Sequence, residues 1–151
     1  EDPVAASVFP RATWRLIVEP FHRSGPLNMA VDEALLRSVA DGAAPPTLRL
    51  YGWFPPALTL GRGQPVADAD LDALAADGIA LVRRATGGTA VLNRDVFSYS
   101  VAVPAGDPRF AGSIAESYEG VSLALLAALW VVFRERPMDT TSAGGNRAAR
   151  T

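Results

Sequence analysis

The stretch at residues 83–92 reads RRATGGTAVL. Two arginines end one apolar run, a glycine pair follows, and a second apolar run begins, which predicts a tight connection between two strands. Glycine lacks a Cβ, so the backbone can come close to a ligand there, and successive N–H groups in such a turn can form an anion site. Arg84 would add a planar cationic fork that matches carboxylate or phosphate oxygens. The stretch therefore indicates either a plain turn or a site for a small acidic or phosphorylated ligand.

The composition limits the chemistry that the chain can perform. With 151 residues, 49% of them hydrophobic and 20% charged, it predicts one globular domain, and a net charge of −2 argues against a nucleic-acid partner. The absence of cysteine excludes disulfides, cysteine–zinc sites and a thiol nucleophile. All 14 basic residues are arginines, so lysine chemistry is excluded, and His22, the single histidine, is interpreted as an ordinary surface residue. No catalytic residue and no metal ligand is assigned.

The ends of the chain and its apolar runs predict a cytoplasmic protein without a membrane partner. The first seven residues are acidic and lack the layout of a signal peptide. The longest apolar run, Leu123 to Phe133, is shorter than the about 20 residues that span a bilayer. After Phe133 the apolar period is lost and arginines dominate. We therefore expect a loose leader at 1–12, a domain at 13–133 and an irregular tail at 134–151.

The hydrophobic periods predict strands that often follow one another without an intervening helix. This order favours an α+β fold with a largely antiparallel sheet and packed helices. A capping box of Ser113 and Glu116 starts the last helix. The expected strands cover 13–19, 47–51, 57–60, 79–83, 89–92 and 97–103, and the expected helices cover 25–40, 68–77 and 114–133. The predicted buried faces are Leu27, Val31, Ala34, Leu35 and Val39 in the first helix and Ile114, Tyr118, Val121, Leu125, Leu129 and Val132 in the last.

Four separated segments together resemble one family. They are residues 28–36 (NMAVDEALL), 48–64 (LRLYGWFPPALTLGRGQ), 83–92 and 97–101 (FSYSV). In this order they resemble the biotin/lipoate protein ligase catalytic domain, specifically its lipoate–protein ligase and octanoyltransferase branch. Biotin–protein ligases share the fold and rank lower because of the segments at 28–36 and 51–53. The resemblance covers about residues 13–133.

The resemblance implies an enzyme that attaches lipoate or octanoate to a lysine of a lipoyl carrier domain. Such domains occur in the E2 subunit of 2-oxoacid dehydrogenases and in the glycine-cleavage H protein. Ligases of the family use ATP and Mg²⁺ to make an acyl-adenylate. Transferases need no cofactor and take octanoate from a carrier protein, either onto their own cysteine or directly onto the target. We expect ligase-type attachment first, with carrier-dependent octanoyl transfer as the alternative.

The resemblance also assigns a binding cleft. Arg84 would hold the phosphate or carboxylate end of the ligand, and the glycine stretch would supply backbone contacts. Tyr51, Trp53 and Leu60 would be either walls of an acyl tunnel or simple core. The backbone contacts would come from Gly87, Gly88, Thr89, Ala90, Val91 and Leu92, and the neighbouring wall would be formed by Gly61, Arg62 and Gln64.

The chain departs from the family pattern at three places. Thr89 stands where a third glycine is common, and Asn93-Arg94 stand where His-Asp is common. The family also expects a lysine some tens of residues after the long helix, and one transferase branch a cysteine; neither is present. These departures predict a C-terminally truncated, incomplete domain, and they leave open a catalytically silent fragment that binds acyl groups or nucleotides.

Overall fold

The computed structural model describes residues 12–135, without the side chains of Phe133 and Glu135. The described residues 12–107 form one compact unit, and the described residues 108–135 belong to a second. Most of the predicted leader and tail lies outside the described residues. The boundaries predicted at 12 and 133 stay predictions.

Six strands form two three-stranded sheets in the first unit. The first sheet has the order β1-β2-β6 and the second has the order β4-β3-β5. In each sheet the central strand pairs parallel with one neighbour and antiparallel with the other. The strands are β1 (Arg15–Val18), β2 (Thr47–Tyr51), β3 (Ala57–Leu60), β4 (Ala80–Arg83), β5 (Val91–Asn93) and β6 (Ser98–Ala102).

The helices are α1 (Gly25–Ala40), α2 (Leu71–Ala76) and α3 (Ile114–Glu135), with single 3-10 turns at Val66–Asp68 and Pro108–Phe110. The α+β class predicted from the sequence is confirmed. The sheets are mixed where mainly antiparallel pairing was expected, because α1 connects β1 to β2 and α2 connects β3 to β4. A helix between two neighbouring strands returns the chain to the same end of the sheet, so the strands run parallel.

Helix α1 packs on a polar face of the first sheet. Its fully buried residues include Asn28 and Val39, whereas Leu27 is 44% exposed. The predicted apolar face of α1 is therefore only partly right, since Ala34 is exposed as well. The reason lies in the sheet: the side of β2 that faces α1 carries Arg49, whose charge requires polar partners on the helix.

Helix α3 starts as predicted but buries little of its apolar stripe. The Ser113 backbone N–H donates to Glu116 Oε2 at 2.6 Å, and the Glu116 N–H donates to Ser113 Oγ at 3.3 Å, so the capping box is confirmed. Ile114 is 78% and Tyr118 62% exposed. The predicted buried face is wrong for most of its members, because the described part of this unit offers α3 little more than the turn at 108–110 to pack on.

The length of α3 bears on the expectation that the chain has no membrane partner. By length and composition the stretch Ile114–Val132 could cross a membrane, and none of it is buried. This stretch is longer than the uninterrupted apolar run at 123–133, because it includes the preceding helical turns that contain Glu116 and Glu119. Core helices of water-soluble proteins meet the same criterion of length and composition, so it is weak support for a membrane segment.

Candidate functional site

The predicted cleft residues meet where β3 and β4 end and β5 begins. We call residues 84–90, which connect β4 to β5, the glycine loop. The backbone N–H of Arg84 donates to the Leu60 carbonyl at 3.0 Å, and the N–H of Arg62 donates to the Thr86 carbonyl at 2.9 Å. The segment after β3 and the glycine loop therefore lie side by side, as the resemblance implied.

Two glycines allow this close approach. A Cβ built on Gly61 would lie far inside van der Waals distance of the carbonyl oxygen of Gly88. Gly88 has a φ of +92°, which strongly favours glycine. A Cβ built on Gly87 or Gly63 would meet nothing within 4 Å. Of these four glycines, Gly61 and Gly88 are the two that the backbone geometry requires.

The guanidinium of Arg84 holds the glycine loop from within. Its Nη2 donates to the carbonyls of Gly87 and Thr89 at 2.7 and 2.8 Å. Its Nη1 donates to the carbonyl of Thr59 in β3 at 3.1 Å. The role that the resemblance gave Arg84, direct contact with the ligand, stays a prediction. The same side chain already has a role in the fold, which is to tie the loop to β3.

Arg83 and Gln64 hold the opposite wall, and the sequence analysis missed the role of Arg83. Arg83 Nη1 donates to the carbonyls of Gly61 at 2.7 Å and Gln64 at 2.6 Å. Gln64 accepts from the Gly61 N–H at 3.3 Å and donates to Asp68 Oδ2 at 3.1 Å. Side chains of successive residues in an extended chain point to opposite sides. The Arg-Arg pair was therefore the signal in the sequence that Arg83 would bind one segment and Arg84 another.

The site is electropositive. Within residues 12–135, Arg62, Arg83 and Arg84 form no salt bridge with a carboxylate. Thr89 is exposed, Ala90 is half-buried, and Val91 and Leu92 are each about half exposed in β5. The loop thus combines backbone N–H donors with unneutralised positive charge, an arrangement suited to an anion or to a carbonyl oxygen that gains charge.

The aromatic candidates for a tunnel wall belong to the core instead. Tyr51 and Trp53 are both 5% exposed, and their ring centroids lie 5.6 Å apart. Trp53 Nε1 donates to Ser98 Oγ at 2.8 Å, and Leu60 is 2% exposed. Asn93, at a departure from the family pattern, is also structural, because its amide donates to the carbonyl of Ala57 at 3.3 Å.

A buried ionic network, which the sequence analysis did not predict, joins α1 to the first sheet. Arg49 is fully buried and donates to Asp32 Oδ1 at 2.8 Å, Asn28 Oδ1 at 2.7 Å and Glu19 Oε1 at 3.3 Å. The hydroxyls of Tyr51 and Ser100 donate to Asp32 at 2.9 and 2.7 Å.

The network shifts the ionisation of two of its members. Hydrogen bonds, first from Arg23 and then from Arg49, lower the pKa of Glu19 below its usual range. Burial raises the pKa of the Tyr51 phenol, and the charge of Asp32 raises it further. Two of the four segments that carry the family resemblance, 28–36 and 48–64, supply most of this network. Within the described residues no three His, Cys, Asp or Glu side chains are grouped so as to hold a metal ion.

The chain is similar to known proteins in sequence and in structure. The family model described as "Lipoyl protein ligase A/B catalytic domain" matches residues 24–135. The chain is 46% identical over 118 residues to octanoyltransferase LipM of Kyrpidia tusciae, covering 78% of this chain and 43% of that protein. It spans about half the length of the curated relatives it matches.

Solved structures show the same likeness. Lipoate-protein ligase A bound with ATP matches with a TM-score of 0.63 and 30% identity, over 78% of this chain and 46% of that one. A bipartite lipoate protein ligase from Thermoplasma acidophilum, studied with its E2 lipoyl domain, matches with a TM-score of 0.50 and 33% identity, over 60% of this chain and 36% of that one.

Proposed function

Because this chain belongs to the lipoyl protein ligase A/B catalytic domain family, we propose that it carries the acyl-binding part of an enzyme that attaches octanoyl or lipoyl groups to lipoyl carrier domains. The observation that carries the proposal is the glycine loop, which Gly61 and Arg84 hold in place at an electropositive strand end. Backbone N–H donors fixed beside a cation suit the activated carboxyl end of a fatty acid.

Within this activity we propose octanoyl transfer from a carrier protein, which was the second choice of the sequence analysis. The curated relatives named octanoyltransferase are up to 47% identical to the chain, whereas the ATP-bound ligase is 30% identical. ATP and Mg²⁺ belong to the ligase alternative. The loop donors would suit phosphate oxygens as well as an acyl carbonyl.

The proposed transfer is an acyl substitution. The amine of the target lysine attacks the thioester carbon, the C–N bond forms, and the C–S bond breaks. The carrier thiol leaves with the electron pair and takes up the proton that the amine loses. Negative charge collects on the carbonyl oxygen during this step, and fixed N–H donors are most valuable there. In this proposed step the attacking group comes with the partner domain.

The test uses two acyl donors in parallel. The protein is incubated with a lipoyl domain and either octanoyl-acyl carrier protein or octanoate with ATP and Mg²⁺, and the lipoyl domain is weighed by mass spectrometry. We expect one octanoyl group to be added from the carrier protein. Addition only with ATP would establish the ligase alternative, and no addition from either donor would reject transfer by this chain.

A second candidate is a binding module without turnover. The absence of lysine and cysteine from the chain favours it. Calorimetry with octanoyl-pantetheine distinguishes the two: binding without any acylation of the lipoyl domain supports the module, and absence of binding rejects both. A lipoyl domain as partner is part of the proposal, supported by the solved relative studied with its E2 lipoyl domain. A cytoplasmic location stays a prediction.

A further inference from the structure

We infer that Arg84 is a positioning residue that turns the amide face of the glycine loop toward the acyl group, instead of binding that group itself. The inference rests on the proposed function, because it concerns the site at which the acyl carboxyl end would bind. It replaces the direct contact that the family resemblance implied for Arg84, and it names the backbone donors of the site.

The first step is the direction of two peptide groups. The carbonyls of Gly87 and Thr89 both accept from Nη2 of Arg84, at 2.7 and 2.8 Å. In a trans peptide the N–H of the next residue points opposite to the carbonyl. The N–H groups of Gly88 and Ala90 therefore point away from the guanidinium. Within residues 12–135 these two N–H groups make no backbone hydrogen bond outside the strand ladders.

The second step is the reason why this orientation needs a cation. Two carbonyl oxygens within hydrogen-bond distance of one nitrogen lie close together, and their partial negative charges repel each other. The guanidinium removes that repulsion, and a charge-assisted hydrogen bond is about twice as strong as a neutral one. Nη1 is bound to the Thr59 carbonyl, so the clamp is fixed to a strand that packs between two neighbours.

The third step is the packing of the other side of the loop. The carbonyl of Gly88 fills the space where a Cβ of Gly61 would stand, and the N–H of Arg62 binds the Thr86 carbonyl. Four carbonyls of the loop, those of Thr86, Gly87, Gly88 and Thr89, are thus directed at protein groups. The amides of Gly88 and Ala90 are left as donors for a ligand, and donors fixed before the reaction avoid reorganisation during it.

The experiment separates loop order from ligand contact by comparing three variants. R84M keeps much of the side-chain volume without donors. R84K keeps the charge and three donors on one nitrogen, enough for the two loop carbonyls. R37M is the control, since Arg37 is an exposed arginine on α1 that pairs with Glu33. Backbone ¹⁵N relaxation of Gly88 and Ala90 reports loop order without any ligand, and calorimetry with octanoyl-pantetheine reports binding.

We expect R84M to make Gly88 and Ala90 mobile and to weaken octanoyl-pantetheine binding by roughly tenfold, the effect of losing about one hydrogen bond. R84K restores most of the order and binding, and R37M changes neither. Weakened binding in R84M or R84K with an ordered loop would overturn the inference, because Arg84 would then contact the ligand directly. If R84M does not fold, R84K alone decides by the same two readouts.

Failure of the proposed function gives a different result. If the unaltered chain does not bind octanoyl-pantetheine while R84M still disorders the loop, the clamp is real and the acyl assignment is wrong. If the loop amides stay ordered in R84M, the clamp is wrong whatever the chain binds.

Discussion

Arg49 and Arg84 are both arginines, but their surroundings differ in burial and in charge. Arg49 is fully buried between α1 and the first sheet, where Asp32 and Glu19 balance its charge. Arg84 lies at the end of the second sheet, where its partners are backbone carbonyls and its charge is not balanced. A buried charge must be neutralised by its partners, whereas a partly exposed one can keep its field for a ligand.

The comparison separates what holds the fold from what forms the site. The Arg49 network fixes α1 to the first sheet and leaves no charge for chemistry. The Arg84 cluster holds one loop and leaves its positive field and its amides available. Removing Arg49 should therefore damage stability most, whereas changes near Arg84 should damage ligand binding more than stability.

The largest expected effect is that of R49M. It removes the cation that pairs with Asp32 and leaves Glu19 paired with Arg23, so we expect the free energy of unfolding to fall by about 3–5 kcal/mol. Urea denaturation measures the change. The exposed control R37M should stay within about 0.5 kcal/mol of the unaltered chain, because a surface ion pair contributes little. If the free energy of unfolding of R49M falls by less than about 1 kcal/mol, the prediction is wrong and water reaches the carboxylates of the network.

The next largest effect is expected from Gly61→Ala, beside the glycine loop that Arg84 holds. The new methyl group would overlap the Gly88 carbonyl, so we expect a loss of about 1–3 kcal/mol and displacement of the loop. Gly63→Ala is the matched control, since its Cβ would meet nothing within 4 Å. Urea denaturation and octanoyl-pantetheine calorimetry are compared for both variants. Equal binding by the two would contradict a site built on the approach of Gly61 to Gly88.

A smaller effect is expected from S100A. It removes one hydroxyl donor to Asp32, and the remaining donors from Arg49 and Tyr51 still bind that carboxylate. We expect about 1 kcal/mol of lost stability, the usual contribution of one hydrogen bond. Octanoyl-pantetheine binding should not change. A change in binding without a change in stability would place Asp32 in the site and remove the distinction between the two regions.

The smallest expected effect is a dependence on pH that belongs to the Arg49 network. The pKa of Glu19 is lower in the fold than in the unfolded chain, so its contribution is complete above the unfolded pKa of about 4.3 and is lost as the pH falls through the folded value. Unfolding free energies at pH 7 and in mild acid measure it. E19Q should reduce the difference between the two conditions. An equal acid sensitivity in E19Q would assign the effect to other carboxyl groups.

Several features of the fold were predictable because they depend on local chemistry. The start of α1 at Gly25-Pro26, the capping box of α3 and all six strands to within two residues at either end follow from proline geometry, capping and alternation. The strand expected from Thr89 begins only at Val91, because Arg84 turns the Thr89 carbonyl away from a regular ladder. This hydrogen bond joins the Arg84 side chain to a carbonyl five residues later, and such a contact produces no hydrophobic period in the sequence.

The sequence by itself determined the α+β class, the family and the glycine motif, since these depend on residue types, their order and their spacing. Only the tertiary structure decided which arginine would be neutralised. Arg49 lies between Leu48 and Leu50 within a strand, whereas Arg84 follows Arg83 at the end of a strand. Neither setting in the sequence shows whether a carboxylate will meet the arginine. Asp32 reaches Arg49 from 17 residues away in the chain, whereas Arg84 meets three backbone carbonyls and the Thr59 hydroxyl. Burial beside a carboxylate is a property of packing.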